Sequence, residues 1–275
     1  MISALKRNED QTLELTVTIP WERVKKEKDK LVQEYAQTAK IPGFRPGKAP
    51  TKLAEENIDK AKLNEEVLKK LLPQTYIEAV GEHNLKPFIN PKIHVEKLED
   101  DKDWQYMALT CEVPEIDLGG YKEAVKSLTA KQKIVIPGKE SEQVNFDEIS
   151  KALLENVKVK IPKILLEQEA DRLLAQTLDE VKRLGLTLDQ YLSSTQRTPQ
   201  NLREEYEGKA ESDIKFELAL QKIAEVEGIK VEEKEIEEAI KSAKSEDEKK
   251  NLETNRYLLA SILRQQKTLD FIKNL

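Results

Sequence analysis

The sequence predicts an α+β domain followed by an all-α domain, and three observations lead there. Runs that alternate apolar and polar residues as paired strands do fall within the first 113 residues, whereas from residue 148 onward the apolar residues recur at helical spacing. Charged residues make up 36% and aromatics 5% of the 275, against 38% hydrophobic, which suits a helix-rich protein with much solvated surface and not a disordered chain. The resulting domain boundaries are 1–113 for an α+β domain, 114–147 for a connector that packs along the next domain, and 148–275 for a helical domain.

Taken in order, Leu13-Glu14-Leu15-Thr16-Val17-Thr18-Ile19 alternates and reads as a half-buried strand. Pro20 ends it and opens a helix from Trp21 to Ala39, with Trp21, Val24, Leu31, Tyr35 and Ala36 near one face. A short helix is expected over Thr51–Glu56 and a longer one over Leu63–Glu82, with Val67, Leu68, Leu71, Leu72 and Val80 as its buried stripe. Pro73 falls inside that stripe and predicts a kink. Ile89–Leu98 and Trp104–Val113 alternate on either side of an acidic turn, Glu99–Asp103, and read as an antiparallel hairpin. The turn lacks the glycine and terminal glutamate of a calcium loop and is expected to be solvated.

In the connector, Gly119-Gly120, an isolated strand-like Lys133–Ile136 and Pro137-Gly138 set a different texture. Pro162 sits at the first turn of a helix reaching Leu184, whose apolar set is Ile164, Leu165, Ala170, Leu173, Leu174 and Leu178, and which Gly185 ends. Thr187 with Gln190 forms a capping box for a short helix, and Thr198-Pro199 opens a long one to Val226 that Gly228 closes. Two further helices are expected over Val231–Ala243 and Ser245–Ile272.

Chemistry-bearing residues are sparse. His83 and His94 lack the cysteine, carboxylate or second-histidine spacing of a metal site, and Cys111 has no paired histidine, so no catalytic, metal or cofactor residues are assigned. A single cysteine excludes an internal disulfide framework and fits a reducing compartment. No apolar run approaches the ~20 residues of a membrane span, and Met1–Asp10 holds no signal-peptide core, so a cytoplasmic protein without membrane contact is expected.

The most informative stretch lies between two helical segments. Pro42, Gly43, Pro46, Gly47 and Pro50 fall within nine residues and cannot continue a helix, because proline lacks the amide donor and glycine loses backbone entropy. Phe44 sits there with Arg45 and Lys48. The glycines are one position too close for a phosphate-binding loop, and Ala49 stands where a magnesium-binding hydroxyl would be needed. Two readings remain: a helix–helix turn whose Phe44 tucks into the core, and a loop that docks on an anionic surface. Residues 21–52 hold nine Lys/Arg against four Asp/Glu in a chain of net charge −6, a local basic patch that suits the second.

Gly43-Phe44-Arg45-Pro46-Gly47-Lys48-Ala49-Pro50 resembles the ribosome-docking signature of the bacterial trigger factor family, G-F-R-x-G-K-x-P, at all six fixed positions. The order of strand, helices and hairpin is similar to that family's N-terminal ribosome-binding domain. The helical part resembles its C-terminal domain, a body with two projecting arms in an elongated multidomain chain. The resemblance implies an ATP-independent chaperone that docks at the exit tunnel of the large ribosomal subunit through Gly43, Phe44, Arg45, Pro46, Gly47 and Lys48, and that binds apolar segments of nascent or unfolded polypeptides. It implies no cofactor and allows a weak homodimer. Family members usually insert an FKBP-like prolyl isomerase domain. The interval Tyr121–Glu148 is below the ~50 residues of an independent domain and lacks clustered aromatics, so a short form without isomerase is expected. The alternative is a helical adaptor or oligomeric scaffold that uses the same basic loop.

Overall fold

Alternation in Leu13–Ile19 becomes a strand whose odd-numbered residues, Leu13, Leu15, Val17 and Ile19, are all buried. A computed structural model describes residues 1–38, 58–132, 146–243 and 245–275, in two compact units: Met1–Val113 with Pro162–Leu165, and Pro114–Ile161 with Leu166–Leu275.

In the first unit, β1 (Ile2–Arg7), β2 (Leu13–Ile19), β3 (Lys92–Lys97) and β4 (Trp104–Thr110) form an antiparallel sheet in the order β1-β2-β4-β3. Helices α1 (Trp21–Thr38) and α2 (Lys60–Glu82) belong to the core that covers one face. Directly opposed residues share a face, so Leu15 meets Ala108 and Val17 meets Tyr106. Val24, Val32, Leu63, Val67, Leu71 and Ala79 pack over them from the helices. Trp104 and Tyr106 are among the largest fully buried side chains, and Tyr106 uses its hydroxyl against Thr75 at 2.9 Å, so this phenol enters the core with a partner. Thr75 also donates to the Leu71 carbonyl at 2.9 Å, two residues beyond the point where α2 runs through Pro73.

Sequence reading misses β1. Its apolar residues fall on both faces, Ile2 and Ala4 on one and Leu5 on the other, so no period of two stands out. The buried stripe of α1 also shifts: Val32 is buried where Tyr35 was expected, and Tyr35 is exposed. The helix expected over Thr51–Glu56 and the strand-like Lys133–Ile136 lie outside the described residues.

The second unit begins with β5 (Ile116–Asp117), which pairs antiparallel with β6 (Lys158–Val159). Within the stretch expected as a connector, α3 (Tyr121–Gln132) packs on α4 (Phe146–Asn156), burying Tyr121, Val125, Ile149 and Leu153. Gly119 makes the entry to α3. Its φ is +52°, and a Cβ there would lie 2.6 Å from the Asn156 carbonyl oxygen, so only glycine fits without moving backbone.

Next come α5 (Lys163–Arg183), α6 (Leu188–Ser194) and α7 (Pro199–Val226), then α8 (Glu233–Lys241), α9 (Glu246–Thr254) and α10 (Arg256–Lys273). The expected punctuation is present. Gly185 has φ +74° past the end of α5. Thr187 and Gln190 close a reciprocal capping box, and the Thr198 hydroxyl accepts from the Asn201 amide at 3.1 Å. Ala170 and Ala210, both fully buried, share a cluster with Leu173 between α5 and α7, with Tyr206 bonded to Thr177 beside them.

The single helix expected over Ser245–Ile272 is two. At Asn255, φ −108° and ψ 37° leave the helical region, and the Asn255 side chain donates to the Asn251 carbonyl at 3.0 Å. Short polar side chains compete with the backbone for its own hydrogen-bond groups, and Thr254 does the same to Lys250. Apolar periodicity continues across the break, which is why it hides the break.

The C-cap of α7 is tied to α3 by charge. Glu227 accepts from Lys122 at 2.7 Å and from the Tyr121 hydroxyl at 3.1 Å. Lys122 foremost, then Tyr121, holds the Glu227 carboxyl below its usual 4.5. A carboxyl whose folded-state pKa is depressed stabilises the fold above its unfolded value and loses that contribution as pH falls through the folded value. Glu227→Gln is therefore expected to melt below wild type at pH 7, with the gap narrowing as pH drops under 4.5. Thermal unfolding by circular dichroism between pH 7 and pH 3 measures this, and a gap that stays constant would rule out the charge contribution.

Candidate functional site

Gly43, Phe44, Arg45, Pro46, Gly47 and Lys48 lie outside the described residues, but the helices that the loop joins are described. Arg23 of α1 forms a two-pronged pair with Glu78 of α2 at 2.7 and 2.8 Å, and Lys70 of α2 reaches Glu34 of α1 at 3.3 Å. The start of α1 is thus beside the end of α2, and the two helices run antiparallel. Chain connectivity attaches residues 39–57 to the end of the pair where Leu31, Tyr35, Ile58, Lys62 and Leu63 line a shallow cleft.

Charge on this unit is less one-sided than the sequence count. Arg23 pairs with Glu78, Lys28 with Asp100, and Lys30 with Glu27, so three of the cations of α1 are matched within the unit. Arg23 holds the Glu78 carboxyl below the usual range. Glu78 and Asp100 both come from outside residues 21–52, so a window along the chain does not count them. Lys25 and Lys26 are exposed and have no ion-pair partner among the described residues. Within residues 21–52 they are the described cations left without an ion pair, and Arg45 and Lys48 lie outside the described residues.

Apolar side chains without a packing role are conspicuous in the second unit. Leu184, Leu186 and Leu188 are all exposed across the turn between α5 and α6, beside Lys182 and Arg183. On α10, Tyr257 is 95% exposed, Leu258 61% and Ile262 50%, although Leu259 beside them is buried. Ser261 and Gln266 complete this strip, and none of its five residues is charged in a chain that is 36% charged. Contiguous exposed apolar surface of this kind marks binding sites more often than isolated exposed residues do. Sequence periodicity cannot separate this strip from a core face, because both obey the same spacing.

Alpha-10 is held in place by its other side. Arg264 donates to the Ile229 carbonyl at 3.0 Å, and Lys267 donates to the Lys230 carbonyl at 2.9 Å and to Glu235 at 2.8 Å. Lys267 in turn holds the Glu235 carboxyl below its usual range. These bonds fasten α10 to the turn between α7 and α8 and leave the strip turned outward.

The histidines and the cysteine have structural surroundings. Ser3 donates to Glu82 at 2.5 Å and lies 3.0 Å from His83 Nε2, clamping β1 to the end of α2. The serine proton goes to the carboxylate and not to the imidazole, so this is not a nucleophile–base pair. Cys111 is buried, and burial pushes its thiol up to about 11, far from a reactive thiolate. Among the described residues no cluster of three His, Cys, Asp or Glu could hold a metal, and no helix is long and apolar enough to cross a membrane.

Comparison with known proteins matches both units. The family model for the bacterial trigger factor protein (TF) matches residues 1–145, and that for the bacterial trigger factor protein (TF) C-terminus matches residues 121–274. The two matched ranges overlap at residues 121–145. Trigger factor from Mycobacteroides abscessus is 35% identical over 138 residues, 49% of this chain and 28% of that protein. Trigger factor from Staphylococcus aureus strain Newman is 36% identical over 108 residues, 39% of this chain and 25% of that protein. The chain thus aligns with less than a third of the length of these relatives. A solved structure described as "Promiscuous Substrate Recognition in Folding and Assembly Activities of the Trigger Factor Chaperone" superposes with a TM-score of 0.66 at 15% identity, covering 100% of this chain and 99% of that one, a likeness of fold.

Proposed function

Because the chain belongs to the bacterial trigger factor family, we propose that it is an ATP-independent chaperone that docks at the exit tunnel of the large ribosomal subunit and holds apolar segments of nascent or unfolded chains. The observation that carries this reading is the sequence Gly43-Phe44-Arg45-Pro46-Gly47-Lys48, attached to one end of an antiparallel helix pair that a bidentate Arg23–Glu78 bridge holds together.

Docking combines two kinds of contact. Phe44 enters an apolar notch, while Arg45 and Lys48 meet rRNA phosphate or acidic side chains. Phosphate contacts of this kind release counterions and weaken as salt rises. Arg23, Lys28 and Lys30 are matched within the unit, which leaves Arg45 and Lys48 as the cations this reading assigns to docking.

Holding falls to the second unit. The α10 strip of Tyr257, Leu258 and Ile262, with Leu184, Leu186 and Leu188 at the α5–α6 turn, offers apolar area that the fold does not use for itself. A chaperone with no nucleotide to drive release needs weak contacts, since anything that binds unfolded chains tightly opposes their folding. Half-exposed aliphatic side chains suit that requirement, because each adds only about 1–2 kcal/mol on burial. The isomerase activity usual in the family is absent from this reading, supported by the overlap of the two matched ranges with no interval between them.

Each part has its own measurement. Wild type is expected to co-sediment with ribosomes, and Phe44→Ala/Arg45→Ala/Lys48→Ala is expected to remain in the supernatant; equal sedimentation of both would refute docking through this loop. Leu258→Ser/Ile262→Ser is expected to need roughly tenfold more protein than wild type to suppress aggregation of a refolding client without ATP. Ribosome binding with no suppression at molar excess would favour the adaptor instead. A proline-limited refolding step is expected to proceed at its uncatalysed rate of tens of seconds, and acceleration would show isomerase activity.

A further inference from the structure

The two outer strands of the first unit's sheet are not equivalent, and the difference points to a partner. β3 is a protected edge. It follows Pro91, its register slips between Val95 and Lys97, and Lys92 and Lys97 are exposed along it. Prolines, bulges and lysines are the usual means by which an edge refuses another strand. β1 has no proline and no bulge, and its cations, Lys6 and Arg7, stand together at one end, each in an ion pair with Glu14 or Glu112; all six residues from Ile2 to Arg7 pair in unbroken register with Thr18 to Leu13. Its other side has no strand partner among the described residues. We infer that β1 takes up an extended polypeptide segment by strand addition, apolar at two alternate positions and acidic at the third.

Only an extended backbone satisfies a regular row of outward N–H and C=O groups, so the edge itself selects the partner's conformation. The side chains select its chemistry. Ile2, Ala4 and Lys6 lie opposite Thr18, Thr16 and Glu14, on the face turned away from α1 and α2. Ile2 is 70% exposed, and Ala4 is exposed and small, so apolar residues of an added strand would sit beside them. The Lys6 side chain is also 70% exposed although it reaches Glu14 at 3.1 Å, so a carboxylate on the added strand can approach it from the open side. Ser3, bonded to Glu82 and near His83, keeps the strand in place before anything binds, which lowers the ordering cost.

The inference rests on the proposed binding of unfolded segments, but it concerns a different surface and a backbone-directed mode. Its probe is a synthetic octapeptide of alternating valine and threonine with one glutamate, added to the full chain and followed by hydrogen-exchange mass spectrometry. Exchange of those amides of residues 2–7 that do not already bond to β2 is expected to slow about fivefold or more. The same peptide N-methylated throughout is expected to give no protection, since it keeps its side chains but cannot donate. A lysine in place of the glutamate is expected to weaken binding to wild type and to be preferred by Lys6→Glu.

Unchanged exchange at β1, or equal protection by the methylated peptide, would overturn strand addition, and equal binding of the two charge forms would overturn the acidic position. Protection that rises with protein concentration in the absence of peptide would assign the edge to a second copy and overturn the inference as well. A protein that suppresses client aggregation while β1 stays unprotected defeats this inference alone. One that does neither defeats the chaperone reading too.

Discussion

Burial of apolar residues along the length of α7 is the constraint on which the second unit depends. Leu202, Ala210, Ile214, Leu218, Ala219, Leu220 and Ile223 are all buried along its 28 residues, a length of about 42 Å. Ala210 packs against Ala170 and Leu173 of α5, while Ala219, Leu220 and Ile223 pack in the cluster that holds Tyr121, Leu153 and Ile272. One helix therefore serves two separate clusters. An isolated helix gains little from propensity alone, so these tertiary contacts are what stabilise α7. Surfaces at the α5–α6 turn and on α10 inherit their positions from it.

Charge plays a different part. Among the described residues many ion pairs are exposed and local, such as Lys69 with Glu65 and Glu66 or Lys222 with Glu225, and pairs of that kind contribute little to stability. They keep a helix-rich chain solvated. Pairs that join distant segments do more to set geometry: Arg23 with Glu78 orients α1 on α2, and Lys267 with Glu235 fastens α10 to α8. Since the clusters already account for stability, the exposed leucines and Tyr257 stand out as apolar area the fold does not need.

Legibility in the sequence follows the range of the interaction. Thr187 with Gln190, Thr198 with Pro199, and Gly185 are caps and stops made by residues within three positions of each other, and all are found where the spacing places them. Alternation in Leu13–Ile19 and Trp104–Thr110 is equally local, because one face of each strand is fully buried. β1 is at an edge and buries neither face fully, so its pattern carries no period. Asn255 breaks a helix through its own side chain, while the apolar residues around it keep the spacing of an unbroken one.

By itself the sequence determined the α+β and all-α parts, most helix ends and the eight-residue loop signature, because each depends on residues adjacent in the chain. Only tertiary structure decided which cations on α1 remain unmatched, since Glu78 and Asp100 reach them from distant segments. It also decided which apolar stripe is core and which is surface. Helical spacing is the same for Leu259, which is buried, and for Leu258, which is not. The difference lies in which side of α10 is bonded to the α7–α8 turn, and no periodicity along the chain records that.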